Sequence, residues 1–295
     1  MANTKAIITL IIGKHYSKRW KKLCAGNWNE YAKNHGYDII CIDEPLDISA
    51  RAQSRSPAWQ KCLILGDERV KKYNQVVWID SDILINPNSP CIVSKVPEDK
   101  VGAVDMFGSP MMESFPTSNN TNELLINRSA SYWGWQFKTG EEFYSKSKLS
   151  PISSCVVQTG VMVLSEKYHR EILEDTYHRY EENENDSFEM ESLSYELVKS
   201  ASVYWLDCKF NRLWSECMLR DYPFLLPSIH IENKLTRAWK NFVRGSSQMP
   251  DTTIAKYCLA SEFVNNYFLH FAGTSQYMPL LDTNTKDWYS LRGKL

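Results

Sequence analysis

Asp80 and Asp82 stand one residue apart between two apolar runs, VVWI ahead of them and ILI directly after. Two bare carboxylates in so apolar a stretch would be expensive to bury, so something cationic must compensate them. Side chains two apart on a strand point to one face, which lets the pair converge on one divalent ion or share it with a bound diphosphate and ribose. The competing reading is a strand that ends at Ile79 with Asp80 capping a turn. The quick return of apolar residues after Asp82 favours the ion. His270 lies in a second apolar run, YFLHFAG, three residues ahead of Gly273. Taken alone it reads as a core or capping histidine; taken with Asp80 and Asp82 it reads as a third ligand. A further carboxylate group, NENDSFEMES at 183–192, contains Glu189 and Glu191. It fits a solvated acidic helix start equally well.

These residues need elements to hold them. The run AIITLIIG (6–13) predicts a buried strand, and 17–35 places Trp20, Leu23, Cys24, Trp28 and Tyr31 at helical spacing before a stop at Gly36. YDIICID (37–43) predicts a second strand. Residues 57–73 predict a helix that opens on Pro57 and ends in basic residues, and QVVWIDSDILI (75–85) predicts a third strand. Strand, helix, strand, helix, strand implies an α/β fold, Rossmann-like, with a mainly parallel central sheet and helices on both faces. Such sheets bind ligands beyond the carboxyl ends of their strands. Downstream, 153–165 predicts a strand broken by Gly160, 166–183 and 188–200 predict helices, and 202–211 ends in a strand or turn. Residues 113–131 and 244–253 are polar and predict loops. No repeat or composition shift divides the chain. One domain with inserted loops is expected over 1–295, its first part spanning 1–110 and its second 111–295.

Composition narrows the function classes. The 295 residues carry 34 Lys+Arg against 35 Asp+Glu, a net charge of −1, so no basic excess points to nucleic acid or to an anionic lipid surface. The 8 cysteines include no CxxC pair, and several, such as Cys41 and Cys155, sit in apolar runs, as core thiols do. No stretch reaches the ~18 apolar residues of a membrane helix. The first apolar run is not followed by a small-residue cleavage site, and a cytoplasmic protein is expected. The sequons at Asn119 and Asn127 then read as chance matches. Aromatic residues make up 13%. Trp20, Trp28 and Trp78 are expected in the core, whereas Tyr132, Trp133, Trp135, Trp214 and Trp239 fall in irregular segments expected to flank the site, where an aromatic face can line a pocket.

VVWIDSDILINP resembles the DxD segment of GT-A-fold glycosyltransferases. Three more stretches resemble the same enzymes in the same order: PAWQKCLIL, where a Trp or Tyr and a Lys commonly occur, VVQTGVMVLS, and HFAG at 270–273. VVQTGVMVLS is similar to the N(S/T/A)GVxxL segment of retaining families 8 and 34, with Gln158 in place of the usual Asn; HFAG is similar to their HFxG motif. The resemblance spans roughly residues 6 to 275.

It implies a GT-A fold and transfer of a sugar from a nucleoside-diphosphate sugar to a saccharide or other hydroxyl. A UDP-sugar is the favoured donor and a GDP-sugar the alternative. The family pattern carries metal ligation onto Asp80, Asp82 and His270, and donor binding onto Asp80, Ser81, Lys61, Trp59, Gly160 and Gly273. Asp/Asp/His ligation suits Mn²⁺ better than Mg²⁺, since imidazole is softer than Mg²⁺ usually accepts. Gln158 would lie beneath the anomeric carbon, and Glu189 or Glu191 would hydrogen-bond a sugar. No nucleophile or acceptor base stands out, so retention with the leaving phosphate assisting deprotonation is the matching expectation. One departure is plain. The family 8 motif continues to a lysine that binds the diphosphate, and this chain has Gln276 there. Lys61, Arg128, Lys234 and Arg237 are the candidate substitutes. Two other readings compete: an inactive sugar-binding relative, and a haloacid-dehalogenase-type phosphatase using Asp80 and Asp82.

Overall fold

Short β-branched runs build the centre of the molecule. A computed structural model describes residues 3–108, 139–146, 148–182, 188–225 and 252–283. Strands β1 (Lys5–Leu10), β2 (Asp38–Ile42), β3 (Gln75–Ile79), β5 (Val101–Asp105), β6 (Val157–Leu164) and β7 (Val203–Trp205) form one sheet in the order β2-β1-β3-β6-β5-β7. All run parallel except β6, which is antiparallel to both β3 and β5. The sheet is covered on both faces, which is why its strands read as continuous apolar runs. In β3 the alternation is still visible. Val77 and Ile79 face a core shared with Trp20, Trp28, Tyr31 and Phe268. Val76 and Trp78 face the other, shared with Trp59, Leu173, Tyr177 and Leu197. Strands from 1–110 and from 111–295 thus interleave in one sheet.

The first core is filled by helices α1 (Lys14–Leu23) and α2 (Ala25–His35). The expected helix 17–35 is therefore two helices, broken at Cys24, with Trp20 and Trp28 still meeting edge to face at 5.4 Å across the break. A short helix, α3 (Ala50–Gln53), leads into a 3-10 helix, Pro57–Gly66, where a longer α-helix to residue 73 was expected. Asp67 stops it. Its carboxylate accepts from the Arg69 backbone N–H and guanidinium at 2.9 Å, a local turn that competes with the helical ladder. After α4 (Gly140–Lys146), helices α5 (Glu166–Arg179) and α6 (Met190–Ser200) pack on the second core.

A smaller sheet lies against the first core and sets up the site. Strand β4 (Ile83–Ile85) pairs antiparallel with β9 (Phe268–His270), and β9 pairs parallel with β8 (Arg212–Leu213). Helices α7 (Trp214–Arg220) and α8 (Thr252–Asn265) accompany it. Asn27 locks β4 to α2 from both sides, donating to the Ile85 carbonyl at 2.5 Å and accepting from the Ile85 N–H at 2.6 Å. Trp28 Nε1 donates to the Ile83 carbonyl at 2.9 Å. Among the described residues no helix is long and apolar enough to cross a membrane.

Candidate metal centre

The apolar run around Asp80 and Asp82 is not one strand. β3 ends at Ile79, residues 80–82 turn, and β4 begins at Ile83 in the other sheet. The expected alternation along a single strand is thus replaced by a turn that joins two sheets, and the carboxylates converge through that turn. Asp80 N–H donates to the Gly160 carbonyl at 2.9 Å, one step beyond the β3–β6 ladder. The Asp82 carbonyl accepts from Phe271 N–H at 3.0 Å. Register then brings in the histidine: Ile83 lies opposite His270 across β4 and β9.

His270 Nε2 is 3.3 Å from Asp82 Oδ1 and 3.8 Å from Asp80 Oδ2. The three groups can offer one ligand atom each, all within 4.8 Å of one another. Adjacent ligands on an octahedral ion with bonds of about 2.1 Å lie about 3 Å apart, so small side-chain rotations suffice to fit a divalent cation. The carboxylates are only partly covered, with side chains 27% and 21% exposed, which leaves an approach from solvent. The far side of the ring is fixed. Nδ1 pairs with Asn211 Oδ1 at 2.9 Å. With the amide oxygen accepting from Nδ1–H, the neutral ring turns the lone pair of Nε2 toward both aspartates, the arrangement a metal ligand needs. Burial disfavours the charged imidazole, but the Asp82 carboxylate outweighs it and raises the His270 pKa. Burial likewise opposes the Asp82 anion, yet His270, with help from Arg19, holds its pKa below the usual carboxylate range. Burial pushes Asp80 up.

Gly160 makes room for the ring. A Cβ there would fall 2.5 Å from His270 Cε1 and 2.8 Å from its Nδ1. Gly160→Ala is therefore expected to push His270 off Asn211 and weaken divalent-metal binding at least tenfold, at a cost in stability of about 1–3 kcal/mol from overpacking. Titration of Mn²⁺ into both proteins, with a denaturation curve for each, checks this. Gly273 has φ 65°, a left-handed conformation that favours glycine, in the turn after β9 closed by Thr274 N–H to the Phe271 carbonyl at 2.8 Å. Ser81 lies in the turn itself, and its carbonyl accepts from the Cys24 thiol at 3.4 Å.

Lys61 is held in the protein rather than presented to a ligand. Its ammonium lies 2.6 Å from Glu189 Oε1 and 3.3 Å from Asp80 Oδ1, and donates to the Thr159 carbonyl at 3.4 Å, with the side chain 5% exposed. Those partners use all three of its N–H donors. Burial would favour the neutral amine, but the Asp80 and Glu189 carboxylates outweigh it and push its pKa up. Glu189 also accepts from Thr159 Oγ1 at 2.9 Å. So Glu189 connects to Asp80 through Lys61. Glu191 is buried in the first turn of α6. Gln158, near the start of β6, is 5% exposed, and its Oε1 has no hydrogen-bond partner among the described residues. An acceptor buried that way costs about 1–3 kcal/mol unless a ligand or water meets it.

Two aromatic expectations are corrected. Trp59 is fully buried with the Arg55 guanidinium 4.7 Å from its ring, so no face is open to a donor. Trp214 is also fully buried, packed between Tyr222 and Tyr277 at 5.9 Å from each. Trp20, Trp28 and Trp78 lie in the core, as expected. Tyr132, Trp133, Trp135, Trp239, Arg128, Lys234, Arg237, both sequons, the 113–131 loop and all but the end of the 244–253 loop lie outside the described residues. Asn211 was missed by sequence reasoning, since nothing in CKFN announces a partner 59 residues away. Arg19 was missed as well: from α1 its Nη1 donates to Ser275 Oγ at 2.8 Å, just beyond the HFAG turn.

Cys217, Asp221 and Glu262 form a second grouping that could hold a metal. It is already served by protein groups. Arg212 lies 3.5 Å from Asp221, and Glu262 accepts from Tyr222 at 2.9 Å and from Asn266 at 3.0 Å. Burial also drives the Cys217 thiol far above its ordinary pKa, away from the thiolate a metal would require.

No protein-family model matches the chain, and no curated relative matches it. Solved structures do. One is a glycosyltransferase involved in the glycosylation of the major capsid of PBCV-1, 15% identical, with a TM-score of 0.49 over 94% of this chain and 98% of that one. Another is the apo structure of WbbM, a bifunctional glycosyltransferase, 13% identical, with a TM-score of 0.51 over 92% of this chain. This chain spans about half of WbbM, 46% of its length. The likeness to WbbM, together with the sheet order and the single antiparallel β6, makes the fold GT-A in type.

Proposed function

We propose that this protein is a divalent-metal-dependent glycosyltransferase that takes a sugar from a nucleoside-diphosphate sugar and passes it to a saccharide or other hydroxyl acceptor. One observation carries the reading: Asp80, Asp82 and His270 converge beyond the carboxyl end of β3 in a GT-A-type fold, where open α/β sheets bind their ligands. Asp82 and His270 Nε2 would hold the ion with Asp80, and Mn²⁺ is the ion this donor set suits best. Bound there, the ion would supply charge neutralisation for the departing diphosphate. The chain's own residues prepare the rest. Asn211 fixes the ring, Gly160 gives it space, and Lys61 keeps Asp80 turned by bonding its Oδ1, which Trp78 Nε1 also reaches at 3.0 Å. Gln158 Oε1, without a hydrogen-bond partner among the described residues, would be the acceptor that meets the sugar, where an amide oxygen favours oxocarbenium character. The pattern shared with families 8 and 34 supports retention of configuration. The phosphatase alternative gains nothing from the site, because Asp80 Oδ1 is tied up between Lys61 and Trp78.

The test is a thermal-shift screen of UDP- and GDP-sugars with and without Mn²⁺. One donor at a hundredfold excess over its Kd is expected to add about 2.7 kcal/mol of stability, and only when Mn²⁺ is present. A protein that responds to free sugars and to no nucleotide sugar is a sugar-binding relative instead. NMR of the anomeric proton in the transferred product checks retention, which an inverted product would exclude.

A further inference from the structure

The metal centre is electrically balanced without a diphosphate. Two carboxylates cancel a divalent ion, and Glu189 cancels Lys61. A nucleoside diphosphate leaving this site therefore needs one more cation, and Lys61, the one sequence candidate within the described residues, does not supply it. Lys61 has all its donors engaged inside the protein, and Gln276 is neutral and exposed.

Arg19 has the opposite character. It projects from α1, and Cys24, which caps that helix, reaches the metal-ligand turn, its thiol 3.4 Å from the Ser81 carbonyl. Its Nη1 donates to the neutral hydroxyl of Ser275 at 2.8 Å, and its guanidinium lies 5.1 Å from the ring centre of the exposed Tyr16. Its Nε is buried with no hydrogen-bond partner among the described residues, and none of their carboxylates lies within ion-pair distance of it. A half-buried arginine held by a hydroxyl and a ring, with a donor left over, is a cation kept free for an anion. Ser275 ties it beside the left-handed Gly273 turn. Its field also reaches the Asp82 carboxylate.

We propose that Arg19 is the diphosphate-binding cation of this site, standing in from the first helix for the lysine replaced by Gln276. The assignment rests on the nucleotide-sugar reading above. Guanidinium presents paired donors that match phosphate oxygens, and Ser275 and Tyr16 fix its plane before the ligand arrives.

Calorimetric titration of inorganic pyrophosphate, UDP and GDP, each with saturating Mn²⁺, and of Mn²⁺ alone, tests it on wild type, Arg19→Gln, Arg19→Lys and Ser275→Ala. Arg19→Gln is expected to weaken the diphosphate ligands roughly 10- to 100-fold while Mn²⁺ alone binds as tightly or slightly more tightly. Arg19→Lys should fall between, and Ser275→Ala should weaken the same ligands a few-fold. These last two keep the test open if Arg19→Gln melts early. Wild-type affinity for diphosphates in the Arg19 variants overturns the assignment, and so does a parallel loss of Mn²⁺ binding, which would mark a structural role. If wild type binds none of the three diphosphates with Mn²⁺, the nucleotide-sugar reading falls, and this one with it.

Discussion

Asp82→Asn is expected to abolish Mn²⁺-stimulated hydrolysis and transfer from the nucleotide sugar, by about 10³-fold or more, while the fold persists. The substitution keeps the shape of the side chain and the turn. What holds the turn is backbone: Asp82 carbonyl to Phe271 N–H at 3.0 Å and Asp80 N–H to the Gly160 carbonyl at 2.9 Å, neither of which involves the Asp82 carboxylate. What disappears is one of two anions facing the site and the main charge partner of His270, 3.3 Å away. The remaining Asp80 is already shared with Lys61 and Trp78, so it cannot take up the whole burden. Metal neutralisation of a leaving group is worth several kcal/mol, and each 1.36 kcal/mol is a factor of ten in rate. Mn²⁺ titration with thermal melting of both proteins separates loss of the ion from loss of the fold. Activity retained in this variant would remove the metal assignment altogether.

The position of that carboxylate was legible in the sequence, and its geometry was not. An apolar run interrupted by two aspartates declares that something must compensate them, since burial of bare charge is prohibitive. Periodicity cannot say whether the run is one strand or two, because ILI pairs just as well in a second sheet. His270 became a ligand candidate only through its motif; the β4–β9 register that delivers it spans 187 positions, and no local pattern encodes such a pairing. Asn211 and Arg19 lay beyond reach for the same reason. Each acts through one tertiary contact, His270 for the first and Ser275 for the second. The aromatic surplus misled in the other direction. Trp59 and Trp214 occur next to site motifs in the sequence, but large apolar rings gain most from full burial, and both lie in cores.

Lys61→Met is expected to cost about 3–5 kcal/mol of folding stability, a larger loss than the mutation's modest change in volume would suggest. The ammonium bridges Asp80 Oδ1 and Glu189 Oε1 inside a space where its side chain is 5% exposed and that of Glu189 3%. Removing it leaves Glu189 buried with the Thr159 hydroxyl as its one remaining side-chain partner among the described residues and places Asp80 beside a thioether. An unpaired buried charge, rather than a lost contact, dominates the cost. The double variant Lys61→Met, Glu189→Gln removes that charge as well, so it should recover at least half of the loss; urea denaturation of the two single variants and the double gives the coupling directly. Simple additivity would mean that Lys61 packs there without compensating Glu189. The same cycle bears on the metal centre. Asp80 owes its orientation to the Lys61 bond, so Mn²⁺ affinity should fall in Lys61→Met and stay low in the double variant, whose stability recovers. A buried cation that is costly to remove and cannot reach the ligand is then explained by what it does to Asp80.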